Sequence, residues 1–295
     1  MDITESMLKS VTFICLQKIE DGVKKNIPSG TAFIVSIPSK KHLKIVYAYL
    51  VTAKHNVEEA LKVSDEVVIR INNTDDGTID YPLPKKIRWF THPNDITEPT
   101  DVAVIPFNIL PPYKQHDFDI KAIPIKTFLT KENLNNGDIV VGNDVIVTGL
   151  FTHHHGKNKN LPIVRMGNVA MIGTEKVSVG WHNANIDAYL IEARSIGGIS
   201  GSPVYFREPY FRIDEKNNTF KQQQQIKTYL AGLIHGHWPT SESEIDSIKN
   251  KTKNVNMGIA IVIPAFKIFE TLMQDELEVI REQSDAEYQT TLKKE

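Results

Sequence analysis

Gly197-Gly198-Ile199-Ser200-Gly201-Ser202-Pro203-Val204 is the stretch on which the reading of this chain turns. A glycine on either side of Ser200 opens backbone conformations that are closed to residues with a Cβ. A turn built this way can push a hydroxyl outward while neighbouring N–H groups converge on the same point. Acyl transfer needs that geometry: a nucleophile beside a preformed hole for an oxyanion. On its own the pattern also fits a glycine-rich hairpin, with Pro203 closing the turn and Val204-Tyr205-Phe206 beginning a strand.

Two upstream segments favour the first reading. Leu50-Val51-Thr52-Ala53-Lys54-His55-Asn56-Val57 is an apolar strand that ends in a small-residue turn bearing a histidine. Thr100-Asp101-Val102-Ala103-Val104-Ile105 opens an apolar strand on an aspartate. Serine is a poor nucleophile at neutral pH and needs a base. Imidazole, titrating near neutrality, suits that task. A carboxylate on the other ring nitrogen would hold the tautomer and stabilise the imidazolium. Asp95 rivals Asp101 for that place but precedes a less apolar stretch. Ser202 rivals Ser200.

The order His55, Asp101, Ser200, with steps of 46 and 99 residues, differs from the subtilisin and α/β-hydrolase orders. The chain resembles the trypsin-like (chymotrypsin-fold) serine peptidases of bacterial type over residues 10–280. Its Gly-Gly-x-Ser-Gly-Ser-Pro-Val motif is most similar to that of the glutamyl endopeptidases. Its end resembles that of the high-temperature-requirement protease domain: Met257 to Pro264 run as a strand directly into Ala265 to Leu272. The resemblance implies an all-β fold of two six-stranded antiparallel β-barrels with a C-terminal helix. The barrels are placed at 8–116 and 135–264 and the helix at 265–283.

The same resemblance implies roles. His55, Asp101 and Ser200 would be catalytic, and the N–H groups of Gly198 and Ser200 would form the oxyanion hole. Arg194, Ser195 and His235 would surround the substrate side chain before the scissile bond, which suggests a preference for acidic residues there. Ser202 adjoins Pro203, where the family usually has glycine, which favours Ser200. Ile199 departs from the family, which commonly has an aspartate before the serine to answer a newly cleaved N-terminus. Activation by that ion pair is not expected.

The rest of the chain fits an ordinary globular protein, with 41% hydrophobic and 24% charged residues. Short strands with polar turns, such as Thr31–Val35 and Ile163–Ile172, favour a barrel or sandwich. The segment 111–136, with Pro111-Pro112, His116 and Asp117, breaks the strand pattern and is the expected connection between halves. After Pro264, the residues Phe266, Phe269, Met273, Leu277 and Ile280 recur on one helix face, and the polar tail after Ser284 is expected to fray. His153-His154-His155 is a consecutive triplet on a loop and cannot readily aim three imidazoles at one ion. No metal or cofactor is expected.

A net charge of −2 shows no basic field for nucleic acid. No apolar run reaches the length of a membrane span, and the first residues lack a signal-peptide pattern. The single cysteine, Cys15, cannot form an internal disulfide and reads as a core residue, so a cytoplasmic location is expected. The expected function is a serine endopeptidase acting on protein or peptide substrates. The alternatives are an inactive protease-fold binding module, or a peptidase latent until a regulatory partner orders the Gly197–Ser200 loop.

Overall fold

The computed structural model describes residues 3–83, 87–108, 114, 117–173, 175–179, 184–193, 198–214, 219–222, 225–241 and 254–292. In the first half, seven strands form an antiparallel sheet: β1 (Val11–Glu20), β2 (Val23–Pro38), β3 (Val46–Thr52), β4 (Val68–Asn72), β5 (Thr78–Pro82), β6 (Phe90–Thr91) and β7 (Ala103–Pro106). Their order is β5-β4-β1-β2-β3-β7-β6, and β8 (Ile123–Pro124) joins β2 in parallel.

Both faces of this sheet are buried, so its central strands read as continuous apolar runs rather than as alternations. Ile14, Ile34, Leu50 and Ile105 face one core, which the Lys54–Val63 helix covers with Val57 and Ala60. Phe33, Val35, Val51 and Val104, one residue out of phase, face a second core shared with the other half of the chain.

Closure of the expected first six-stranded barrel is not shown among the described residues. Among the described residues β5 and β6, the two ends of the eight-stranded sheet, do not pair with each other. β6 is two residues long and offers little ladder to close on. Side chains fill the open side instead: the Tyr81 ring meets Phe107 and Phe118 edge-on, each at 6.1 Å.

The second half does close. β9 (Asp144–Gly149) and β10 (Ile163–Ile172) precede a hairpin of β11 (Val177–Val179) and β12 (Ala184–Ile186). β13 (Tyr189–Glu192) and β14 (Pro203–Arg207) follow, then a hairpin of β15 (Phe211–Asp214) and β16 (Thr219–Gln222), then β17 (Thr228–Ser241) and β18 (Asn254–Pro264). The six strands β10-β13-β18-β17-β14-β9 make a closed barrel. Alternation sorts the side chains. Val147, Val204, Phe206, Ala231 and Val262 fill the barrel, while Tyr205, Leu233, Ile261 and Ile263 point outward into the core between the halves.

Pro264 adopts φ −62° at the N-cap of the Ala265–Leu272 helix, as its ring favours at a helix start. The expected single helix over 265–283 is two, Ala265–Leu272 and Asp275–Leu292, with Met273 as C-cap of the first. The break resets the apolar face: Ile268, Leu272 and Leu277 are fully buried, while Phe269 is 45% exposed. The second helix is tied to the first half at Arg281 and Asp285. Arg281 Nη1 donates to the Tyr49 hydroxyl and to the Leu272 carbonyl, each at 2.9 Å. Asp285 accepts from Ser39 Oγ at 2.8 Å and from the Tyr47 hydroxyl.

Candidate active site

Register brings the first two groups together. β3 and β7 are antiparallel with Thr52 opposite Ala103. The residue two before Ala103 therefore meets the chain just after Thr52. β3 ends there, Ala53 caps the Lys54–Val63 helix, and His55 lies in its first turn. Asp101 is fully buried. Its Oδ1 accepts the backbone N–H of His55 at 2.9 Å, and its Oδ2 lies 2.7 Å from His55 Nδ1. Asp95, the rival, instead pairs with Lys54 Nζ at 2.5 Å and accepts the Thr100 N–H at 2.9 Å.

A second imidazole reaches the same oxygen. His235 Nδ1 lies 2.6 Å from Asp101 Oδ2, and the two rings meet edge-on at 5.7 Å. β17 carries a bulge here: Ile234 pairs with Val262 and Gly236 with Ile261, so His235 is the extra residue. The resemblance placed His235 on or beside the pocket-wall strand; here its ring lies against Asp101.

The Gly198–Gly201 turn is sewn to the first half through its carbonyls. Ser200 O accepts from Thr31 N and from Asn56 Nδ2, each at 2.9 Å. Gly198 O accepts from Thr31 Oγ1 at 2.8 Å. β17 holds the other side, with Gly201 N donating to Ile234 O at 2.8 Å and Ile234 N to Ser202 O at 2.9 Å. Gly198 and Gly201 adopt φ +90° and +81°, a region costly for residues with a Cβ. Crowding adds to this at Gly201, where a Cβ would lie 2.2 Å from the Thr31 carbonyl oxygen.

Ser200 Oγ donates to the His235 carbonyl at 3.2 Å. Ser202, by contrast, is fully buried, with its hydroxyl packed so closely on Gly149 that a Cβ there would lie 1.8 Å from it. Among the described residues the N–H groups of Gly198 and Ser200 are not engaged in hydrogen bonds. Arg194, Ser195 and Gly197 lie outside the described residues. Thr31 and Asn56, which hold the turn from the other half, were not singled out from sequence. Asn56 adjoins His55, and that adjacency was the available signal.

The electrostatics follow from burial and pairing. Burial opposes the Asp101 anion, but the hydrogen bonds from His235 and then His55 outweigh it and hold the carboxyl well below its ordinary range. At His55 burial opposes the imidazolium, and the hydrogen bond and charge of Asp101, with Glu59 and Glu58 adding, raise it above the ordinary 6.5. Asp101 is thus ionised at neutral pH and both Nδ1 atoms carry protons toward it. The other nitrogen of His55 is then the basic one.

Among the described residues, His55, Asp101 and His235 are the one His, Cys and carboxylate group close enough to consider for a metal ion. Two ligands on a tetrahedral ion with bonds of about 2.0–2.2 Å stand about 3.3 Å apart. The separations here, 2.6 and 2.7 Å, are those of hydrogen bonds. His153 and His154 are exposed, and the triplet forms no such group. A cleft of about 880 Å³ opens elsewhere, beside Lys131, Phe266 and Lys267. Lys267 is already paired there with Glu98 and Asp187, each at 3.1 Å.

No protein-family model matches the chain, and no curated protein matches it in sequence. Its structure is similar to that of the MamO protease domain from Magnetospirillum magneticum, with a TM-score of 0.52 at 14% identity, covering 92% of this chain and 100% of that one. A serine endoprotease from Yersinia pestis superposes less well, with a TM-score of 0.43 at 14% identity over 94% of this chain and 68% of that one. By this likeness, and with one closed six-stranded barrel among the described residues, the chain has the fold of the trypsin-like serine proteases.

Proposed function

We propose that the protein is a serine endopeptidase that works through an acyl-enzyme, with His55 as base, Asp101 as its anchor and Ser200 as nucleophile. The observation that supports this best is the bonding of Asp101 to both the backbone and the ring of His55, linked through His235 to the Ser200 hydroxyl. A buried carboxylate on Nδ1 fixes the tautomer that leaves the other nitrogen free to accept a proton.

In the first step His55 takes the Ser200 proton as Oγ bonds to the substrate carbonyl carbon. The oxyanion would lie against the N–H groups of Gly198 and Ser200. Removing one such donor costs on the order of 10²–10³ in rate. His55 then passes the proton to the departing amine as the C–N bond breaks. Water reverses the sequence and releases the acid. The substrates are proteins or peptides.

A second reading has its own support. The Ser200 hydroxyl donates to the His235 carbonyl, so it must turn toward His55 before attack. That arrangement suits a peptidase resting until substrate or a partner reorders the turn. A fluorophosphonate probe tests both readings. Labelling of the wild type that is lost in Ser200→Ala and retained in Ser202→Ala is expected. Labelling that survives Ser200→Ala would overturn the assignment. Labelling that appears only after a peptide is added would select the resting form.

A further inference from the structure

His235 belongs to two bonds at once. Its side chain holds Asp101, and its carbonyl accepts from Ser200 Oγ. We infer that His235 is a positioning residue for the Asp101–His55 pair: a second imidazole that donates to the carboxylate and sets how strongly that carboxylate pulls on the base. This role rests on the peptidase reading above.

The argument starts from the oxygen. Asp101 is fully buried, and its carboxylate is held by the His55 N–H, the His55 ring and the His235 ring. Two of these donors converge on Oδ2. A buried anion short of one donor is costly, and the remaining partner then feels more of its charge. His235 therefore shares the charge that would otherwise fall wholly on His55.

The backbone makes the placement firm. His235 is the extra residue of the β17 bulge, and both of its neighbours pair with β18. Ile234 is buried in the barrel and bonds to both Gly201 and Ser202. A shift of His235 would therefore move the nucleophile turn as well. Among the described residues, the charged and titratable groups bonded within the cluster are Asp101, His55 and His235 themselves. Glu58 and Glu59 add from the His55 helix, and the Lys54–Asp95 pair lies beside them.

The test reads His55 directly. In protein carrying ¹⁵N-labelled histidine, two strongly deshielded Nδ1 protons are expected, one each from His55 and His235. His235→Ala should raise the titration midpoint of His55 by roughly 0.5–1 pH unit, because Asp101 then pulls on one ring alone. It should also lower kcat about tenfold. His235→Asn, which places an N–H donor near the Nδ1 position without a titrating ring, should restore both values. A single deshielded proton in the wild type, or a His55 midpoint unmoved in His235→Ala, would overturn the inference. A wild type that takes no serine probe and cleaves no peptide sinks the peptidase reading instead. The His55 titration still decides the part played by His235.

Discussion

Thr52 and Ala103 sit directly opposite each other on β3 and β7, and that one rung brings His55 to Asp101. Because the two residues lie just beyond paired strand ends, their contact is enforced by ladder hydrogen bonds. Asp101→Asn should therefore leave the fold intact while replacing an acceptor-only group with one that can donate. The amide would favour the wrong His55 tautomer. We expect kcat to fall on the order of 10³–10⁴-fold at neutral pH, with a lowered melting temperature, because buried donors lose their shared anion. Peptide hydrolysis measured beside a thermal melt checks both.

Stability and activity should run in opposite directions over one pH window. The folded pKa of His55 is raised above 6.5. Its contribution to stability is complete below the unfolded value and is lost as pH rises through the folded one. The base must be neutral to work, so activity rises through the same window. Asp101 behaves oppositely: its folded pKa is depressed, so its contribution is present above about 3.8 and fades only in strong acid. Urea melts of wild type and His55→Gln across this range should converge as pH rises past the folded His55 pKa. A constant gap would contradict the assignment.

Gly201→Ala tests the turn. The residue would take a φ of +81° and bring its Cβ to 2.2 Å from the Thr31 carbonyl oxygen. Backbone must move, and with it the Thr31 N–H bond to Ser200. A stability loss of about 1–3 kcal/mol from strain, with serine-probe labelling strongly slowed, is expected. Gly22→Ala is the control. Its φ is +76°, but nothing lies within 4 Å of the added methyl, so it should cost about 1–2 kcal/mol and leave labelling untouched.

Cys15 offers a reporter of unfolding. It is 1% exposed on β1, and burial, with Asp80 adding, pushes its thiol up to about 12. The thiolate is the reactive form. Native protein should resist a disulfide reagent at neutral pH and react at the rate of opening. Fast labelling of the folded protein would show that β1 detaches from β2 and β4.

Local patterns were legible and long-range ones were not. The bounds of β10 and the helix start after Pro264 follow from composition that each segment carries by itself. The approach of His55 to Asp101 was implied by the resemblance, and the residues alone left Asp95 as a rival. The bond of His235 to Asp101 was not legible, because it joins residues 134 apart and nothing in Leu233-Ile234-His235-Gly236-His237 marks the imidazole as a carboxylate partner. The Lys54–Val63 helix was read as a turn, since its buried residues are Asn56, Val57 and Ala60, a weak apolar stripe. The open first half escaped notice because strand content alone does not say whether β5 meets β6.

Arg70 connects the first half to the loop that packs on the Gly198–Gly201 turn. It is 8% exposed on β4, and its guanidinium donates to Gly156 O at 3.1 Å and Lys157 O at 2.7 Å. Asn160 completes the clamp, accepting and donating with Asn72 and donating to Arg70 O. The loop so held runs back to Leu150 and Thr152, whose side chains lie against Gly198, where a Cβ would come within 2.9 and 2.7 Å. Arg70→Met leaves two carbonyls without their donor, each charge-assisted bond being worth about 1.5–3 kcal/mol. Amide exchange over 151–160 should then rise at least about tenfold, while β10 stays protected. Labelling of Ser200 should slow several-fold. Arg70→Lys, with one compact donor in place of a fork, should fall between. Unchanged exchange in the methionine variant would mean that the loop is held from elsewhere, and that the turn does not depend on the first half through this route.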